Sequence, residues 1–147
     1  MTDSYRGSCL CGAVRYEIDE FMPGIAHCHC SMCRKFHGAA FATIGTVAGS
    51  KFRWLAGEDE LKDYIAKNGT TRSFCRHCGS SIRFASPRAP EDEIEIALGT
   101  LDSDLPLKPS AHIFVGSAAN WTVLQDDLPQ YEEARGSHKI RHEPSKP

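Results

Sequence analysis

The seven cysteines of this 147-residue chain fall into three short-spaced groups. The groups are Cys9 with Cys11, then Cys28, Cys30 and Cys33, and finally Cys75 with Cys78. Short spacing lets one turn of backbone direct two or three thiolates at a single point, as a tetrahedral zinc ion requires. Two pairs make a closed four-thiolate site, which is typical of structural zinc, whereas a triplet leaves a position for a further ligand.

The composition is ordinary for a soluble chain, with 41% hydrophobic and 24% charged residues. No apolar run approaches the roughly 18 residues of a membrane span. The N-terminus lacks the apolar stretch of a secretory signal. We therefore expect a cytoplasmic protein without a membrane partner. In a reducing compartment, clustered cysteines are metal ligands more often than disulfides.

The charge balance argues against nucleic acid as a partner. The formal net charge is −2, and two Zn²⁺ ions with seven thiolates would take it to about −5. A basic footprint of the kind that binds nucleic acid is missing from such a chain. Only the C-terminal end is basic, so we expect one zinc-binding domain over residues 5–132 and a flexible basic tail over 133–147. The sequence leaves the oligomeric state open.

Short strands dominate the secondary-structure prediction. Val14, Tyr16 and Ile18 alternate with polar residues, as on a half-buried strand. Similar patterns predict further strands within residues 39–47, 51–55, 61–65, 70–74, 81–85 and 93–97. Helix is confined to single turns, one of them capped by Ser31 and ended by Gly38. The predicted fold is mainly β and antiparallel.

The two cysteine pairs predict a closed zinc site. Glycines lie beside both pairs, where tight turns can direct backbone amides at sulfur. A metal ion held by Cys9, Cys11, Cys75 and Cys78 would close a loop of about 65 residues. Two alternatives remain: four buried cysteines packed as small hydrophobic residues, or a redox pair at Cys75 and Cys78.

The cysteine triplet predicts an open zinc site. Cys28 and Cys30 lie on one side of an extended segment, and the capped turn brings Cys33 back toward them. His27 and His29 then face the opposite side, which makes them poor fourth ligands. Arg34 and Lys35 follow the triplet at once. They are candidates for binding the carboxylates of a thiol substrate; alternatively, they are solvent-facing charges that balance the thiolates.

Three segments carry a family resemblance: residues 7–17 (GSCLCGAVRYE), 28–38 (CHCSMCRKFHG) and 74–80 (FCRHCGS). Together they resemble the glutathione-dependent formaldehyde-activating enzymes, also called the centromere protein V family. The resemblance implies a β-tent fold with two zinc ions per chain. The structural ion would be bound by Cys9, Cys11, Cys75 and Cys78, and the catalytic ion by Cys28, Cys30 and Cys33.

The activity that the resemblance implies is a carbon–sulfur lyase reaction, the joining of glutathione and formaldehyde into S-hydroxymethylglutathione. We therefore expect a small-molecule thiol and a small carbonyl as the partners, with the thiol held at the open zinc position. His112, His37 and Tyr64 are loose candidates for the general acid. The alternatives are a thiol carrier without turnover and a zinc-stabilised interaction module.

Overall fold

The computed structural model describes residues 3–140, which are mainly β, as predicted. Ten strands occur in the described residues: β1 Tyr5–Ser8, β2 Arg15–Ile18, β3 Ala26–Cys28, β4 Ala42–Ala48, β5 Phe52–Ala56, β6 Leu61–Ile65, β7 Thr71–Cys75, β8 Ser81–Ala85, β9 Glu93–Ala97 and β10 Ala111–Ile113. One α-helix, α1, spans Ser31–His37. These elements belong to two compact units, residues 3–23 with 44–108 and residues 24–43 with 109–140. Within residues 3–140, no helix is long and apolar enough to cross a membrane.

The first unit consists of antiparallel strands around an apolar core. β1, β2 and β5 form one sheet, and β4, β9, β8, β7 and β6 are neighbours in that order in another. Val14, Tyr16 and Ile18 are fully buried, as their alternation predicts. Gly7 pairs with Tyr16 across the β1–β2 register. A Cβ at Gly7 would lie 2.2 Å from Cζ of Tyr16, so the ring requires glycine there.

The opposite face of β2 carries a buried carboxylate, that of Glu17. It accepts hydrogen bonds from the Ser4 hydroxyl at 2.6 Å, from Arg53 Nε at 2.7 Å and from Arg6 Nε at 3.2 Å. The hydrogen bonds from Ser4 and Arg53 are the main reasons that the pKa of Glu17 falls to about 2. This carboxylate therefore ties β1 to β5 through the middle strand of the sheet.

The second unit contains a parallel strand pair that the sequence did not predict. β3 and β10 pair with Ala26 opposite Ala111, His27 opposite His112 and Cys28 opposite Ile113. Each strand has only three residues, too few to show an alternating pattern. The purely antiparallel expectation is wrong for this pair, which brings together residues more than 80 positions apart.

Helix α1 is present where the capped turn was predicted, but its N-cap is Cys30, not Ser31. The Cys30 sulfur accepts a hydrogen bond from the backbone N–H of Cys33 at 3.2 Å. The cysteine sulfur therefore takes the place of the usual capping oxygen. Gly38 ends the helix in the left-handed conformation, with φ 59°, as the sequence predicted.

The described end of the chain returns to β10. His112 donates its backbone N–H to Pro129 and accepts from Tyr131, both at 2.9 Å. The N–H of Ile140 donates to the Gln130 carbonyl at 2.8 Å. Residues 133–140 of the predicted tail thus lie beside a folded segment, and residues 141–147 lie outside the described residues. The flexible-tail boundary stays a prediction.

Candidate metal centres

The two cysteine pairs meet at one point in the first unit. Their four sulfur atoms all lie within 4.8 Å of one another. The sulfur of Cys11 is 3.6 Å from that of Cys9 and 3.8 Å from that of Cys75. Four sulfurs placed tetrahedrally at the usual Zn–S distance of about 2.3 Å are separated by about 3.8 Å. A disulfide requires about 2 Å. The spacing therefore fits a metal ion and not a disulfide.

Local turns hold these sulfurs in place. Gly12 and Gly79 have φ values of 80° and 78°, and each donates its backbone N–H to the first cysteine of its pair. The backbone N–H of Val14 donates to the Cys9 sulfur at 3.2 Å. Ser80 joins the two turns, because its hydroxyl accepts from the Leu10 N–H at 2.9 Å. These hydrogen bonds fix the orientation of the two turns that carry the sulfurs.

The pKa values of Cys11 and Cys78 differ because the two thiols have different hydrogen-bond partners. The hydrogen bond to the Ser80 hydroxyl is the main reason that the pKa of Cys78 falls to about 5. The pKa of Cys11 rises to about 11: a hydrogen bond from Ala13 lowers it, but interaction with Cys9 and burial raise it by more. Four thiolates this close repel unless a cation lies between them, so the donor set suits a divalent, sulfur-preferring ion.

The cysteine triplet also converges, within the second unit. The sulfurs of Cys28, Cys30 and Cys33 all lie within 4.8 Å of one another. Cys28 ends β3, Cys30 caps α1 and Cys33 lies in its first turn. Hydrogen bonding to Cys30 and Cys33, together with burial, raises the pKa of the Cys28 thiol. Cys28 and Cys33 are buried, and Cys30 is the one member of the group that is half-buried.

The two histidines that flank Cys28, His27 and His29, do not join the sulfur group. His27 instead shares a hydrogen bond with the Thr43 hydroxyl at 2.8 Å. His29 is fully buried, and its Nε2 is 2.8 Å from Nδ1 of His112. Both side chains thus make hydrogen bonds away from the sulfur group, and the expectation that they are poor fourth ligands stays a prediction.

A hydrogen-bonded series of three side chains runs from the surface into the second unit. Nε2 of His112 lies 2.9 Å from Oδ2 of Asp126, and Nδ1 of His112 meets His29. We call His29, His112 and Asp126 the histidine chain. His112 is 1% exposed, whereas the Asp126 side chain is 46% exposed. The histidine chain thus links a surface carboxylate to the segment that bears the three cysteines.

Burial and hydrogen bonding together determine which members of the histidine chain are charged. Desolvation, followed by the neighbouring His112, His27 and Arg34, lowers the pKa of His29 to about 4. Burial raises the pKa of Asp126, but its hydrogen bonds to His112 and the Leu128 N–H outweigh burial and lower it. Near neutral pH the chain therefore has an ionised carboxylate at its outer end and a neutral imidazole at its inner end.

The remaining predicted site residues are spread over the molecule. Arg34 is half-buried on α1 and Lys35 is exposed beside it. His37 is the last residue of the helix, and Tyr64 lies exposed on β6 of the first unit. Of the three general-acid candidates, the structure joins His112 to the triplet segment through His29. Sequence reasoning missed Asp126, which has no distinctive neighbours or spacing.

The comparison with known proteins decides the family. Residues 4–117 match the family described as glutathione-dependent formaldehyde-activating enzyme. The chain belongs to this family. The prediction that it is an enzyme is confirmed. The match contains all seven cysteines, His29 and His112, but it ends before Asp126.

Individual relatives agree with this family assignment. The chain is 32% identical over 126 residues to a Halomonas elongata protein named as a glutathione-dependent formaldehyde-activating enzyme, covering 81% of this chain and 80% of that protein. It is 26% identical over 81 residues to an uncharacterized lyase of Schizosaccharomyces pombe, covering 55% and 57%. A crystal structure of a Rhodobacter sphaeroides protein has a TM-score of 0.57 at 28% identity, covering 69% of this chain and 91% of that one.

Proposed function

We propose that this enzyme joins glutathione, or a similar small thiol, to formaldehyde or another small carbonyl. With glutathione and formaldehyde the product is S-hydroxymethylglutathione. The observation that carries the proposal is the three-cysteine group in a chain of this family. Its sulfurs lie within 4.8 Å of one another, and Cys30 is only half-buried.

The reaction needs no oxidant or reductant. The thiol gives up its proton, and its sulfur attacks the carbonyl carbon. A C–S bond forms, the π bond of the carbonyl breaks, and the proton ends on the oxygen as a hydroxyl. The reverse reaction cleaves the same C–S bond, which is lyase chemistry.

Zinc is the metal that we assign to both cysteine groups, because thiolate ligands at this spacing suit it. At the four-cysteine group it would be structural, since no ligand position remains. At the three-cysteine group, bound zinc lowers the pKa of a coordinating thiol and acts as a Lewis acid. The chain itself would supply three of the four ligands of a tetrahedral ion, and the thiol would be the fourth.

Exchange NMR with ¹³C-formaldehyde and glutathione tests the activity. Thiols and formaldehyde combine unaided, so the measured quantity is the increase in exchange rate at equilibrium. We expect the zinc-loaded chain to raise that rate and Cys30→Ser to abolish the increase. Ser31→Ala, an exposed neighbour in the same turn, is the control and should keep it.

Two outcomes would redirect the proposal. Tight glutathione binding without any rate increase would indicate a carrier. A parental rate in Cys30→Ser would place the chemistry away from the triplet. Metal analysis supplements the assay: we expect two zinc ions per parent chain and one in Cys30→Ser.

A further inference from the structure

Two cysteines of the triplet form a C-x-x-C sequence within one turn of the chain. Cys30 is the N-cap of α1, and its sulfur accepts the backbone N–H of Cys33 at 3.2 Å. The carbonyl of Cys30 accepts the N–H of Arg34 at 3.0 Å, which closes the turn. Both side chains therefore start from one short, hydrogen-bonded piece of backbone. The spacing is that of the reactive pairs in disulfide oxidoreductases.

Backbone distances favour Cys33 over Cys28 as a disulfide partner of Cys30. Disulfides form when the two Cα atoms are about 4.4–6.8 Å apart. Residues three apart in a helical turn have Cα atoms about 5 Å apart. If the strand rise of β3 continues, Cys28 and Cys30 are separated by about 6.6 Å, near the upper limit. Cys28 is also fixed in β3 by its pairing with Ile113.

Burial gives the sulfurs of the C-x-x-C sequence different roles. Cys30 is half-buried, whereas Cys33 is 2% exposed and Cys28 is 7% exposed. A reagent from solution therefore meets Cys30 first, because thiol–disulfide exchange depends on access to the sulfur. Cys33 lies one turn away and can attack only after Cys30 has reacted.

The other C-x-x-C sequence, Cys75 with Cys78, has different surroundings. Cys75 is fully buried, and its sulfur lies 3.8 Å from that of Cys11. Its backbone N–H donates to the Ser80 carbonyl, and its own carbonyl accepts from Gly79. A disulfide there would remove two of the four sulfurs that join distant parts of the chain, at a large cost in stability. The triplet spans a short stretch of chain, so its oxidation costs the fold less.

We propose that Cys30 is a modification site for low-molecular-weight disulfides and that Cys33 resolves the adduct. The Cys30 thiolate attacks one sulfur of a disulfide RSSR. A new S–S bond forms between Cys30 and one RS group, and the other group leaves as RS⁻. The Cys33 thiolate then attacks the Cys30 sulfur and displaces the second RS⁻, which leaves a Cys30–Cys33 disulfide. Two electrons pass from the protein to RSSR, which is reduced to two thiolates.

The inference rests on the proposed function for the identity of RSSR. Oxidised glutathione is the disulfide of the proposed thiol substrate, and its reduction yields two molecules of that substrate. The oxidised chain keeps a single thiolate in the triplet, that of Cys28, which is too few to hold a zinc ion. Disulfide formation would therefore release the ion of the three-cysteine group and stop the carbon–sulfur chemistry until a reductant restores the thiols.

Mass spectrometry after exposure to oxidised glutathione tests the modification. The zinc-loaded full chain is incubated with the disulfide, quenched in acid, alkylated and digested, while a chelating dye measures released zinc. We expect the Cys30–Cys33 disulfide to form before any cysteine of the four-cysteine group reacts, with release of one of the two zinc ions. Dithiothreitol should reverse the change. Oxidised 2-mercaptoethanol should give the same disulfide, because the exchange needs only an accessible S–S bond.

Cysteine variants identify the attacked sulfur and the resolving sulfur. Cys33→Ser lacks the resolving thiolate and should accumulate the mixed disulfide of Cys30 with glutathione. Cys30→Ser should form neither product at the triplet. Cys28→Ser is the matched control, because it removes one sulfur of the same group and should still form the Cys30–Cys33 disulfide. Circular dichroism establishes that each variant is folded, and the mapping of the parent chain does not depend on any variant.

The modification site and the proposed function can fail separately. A parent chain that accelerates exchange but keeps Cys30 reduced would overturn the modification site alone. So would a first disulfide between Cys75 and Cys78, or a Cys33→Ser chain without a mixed disulfide at Cys30. A parent chain that forms the Cys30–Cys33 disulfide but does not accelerate exchange would overturn the proposed function and leave the modification site in place.

Discussion

Replacing Cys75 with serine should destabilise the protein far more than replacing Cys30. The sulfurs of Cys11 and Cys75 are 3.8 Å apart in space and 64 residues apart in sequence. If the bound metal acts as a cross-link, closing a loop of this length raises the free energy of the unfolded chain by about 4 kcal/mol. Cys28 and Cys33 close only about six residues, for which the same relation gives about 2 kcal/mol. Backbone hydrogen bonds already hold that short segment.

The stability lost in Cys75→Ser should be a large fraction of the protein's free energy of unfolding. Domains of this kind have a free energy of unfolding of about 5–15 kcal/mol, and a loss of about 4 kcal/mol lowers the melting temperature by about 10 °C or more. Removal of a buried sulfur ligand also weakens zinc binding itself, which adds to the loss. Cys75→Ser should therefore melt at least about 10 °C below the parent, or aggregate on expression.

Circular dichroism melting in excess zinc, repeated with a chelator, measures this effect. Chelation should destabilise the parent strongly and Cys75→Ser less, because the three sulfurs left in the variant bind the ion more weakly than four. Cys30→Ser is the matched control and should keep most of the parental melting temperature. If Cys75→Ser melted within about 2 °C of the parent, the four-cysteine group would not hold a structural metal and the sulfurs would merely be packed.

Three further predictions follow from the structure. Gly7→Ala forces a methyl group into the Tyr16 ring and should cost about 1–3 kcal/mol in urea unfolding; Gly99→Ala, where a Cβ meets nothing within 4 Å, is the control. The pKa of Glu17 is lowered to about 2. The contribution of Glu17 to the free energy of unfolding is therefore complete above the unfolded pKa of about 4.3 and is lost as pH falls toward 2. Glu17→Gln should make the free energy of unfolding less dependent on pH over that window, and an unchanged pH dependence would contradict the assignment. Lys35→Ala should weaken glutathione binding about two- to fivefold while sparing 2-mercaptoethanol, as expected of an exposed ion pair; equal losses would indicate damage to the cysteine group.

The antiparallel unit was largely predictable because its signals are local. Leu61–Ile65, Ser81–Ala85 and Glu93–Ala97 are strands over the predicted residues. Each combines alternation with flanking turn residues, so neighbouring residues suffice to define it. The grouping of cysteines was predictable for the same reason, since short spacing by itself implies a common turn.

The remaining features depend on partners distant in sequence. β3 and β10 are three residues each and are strands because they pair with one another. Burial of His112 follows from that pairing and from the returning segment at Pro129, neither of which leaves a periodic pattern. The hydrogen bond of Asp126 depends in turn on the position of His112. The hydrogen bonds that join His29, His112 and Asp126 could therefore not be predicted from the sequence, whereas the grouping of the seven cysteines could.

Because the two cysteine groups span different lengths of sequence, the ribosome completes them at different times. A ribosome adds about 5–20 residues per second, so roughly 3–13 s separate the synthesis of Cys11 from that of Cys75. The triplet, by contrast, is complete within about a second of its first cysteine. The nascent chain therefore offers a metal ion the three-cysteine group first, well before the second pair exists and before His112 is made. The site proposed for catalysis is therefore the first that can be loaded, and the site proposed for stability can be loaded only later.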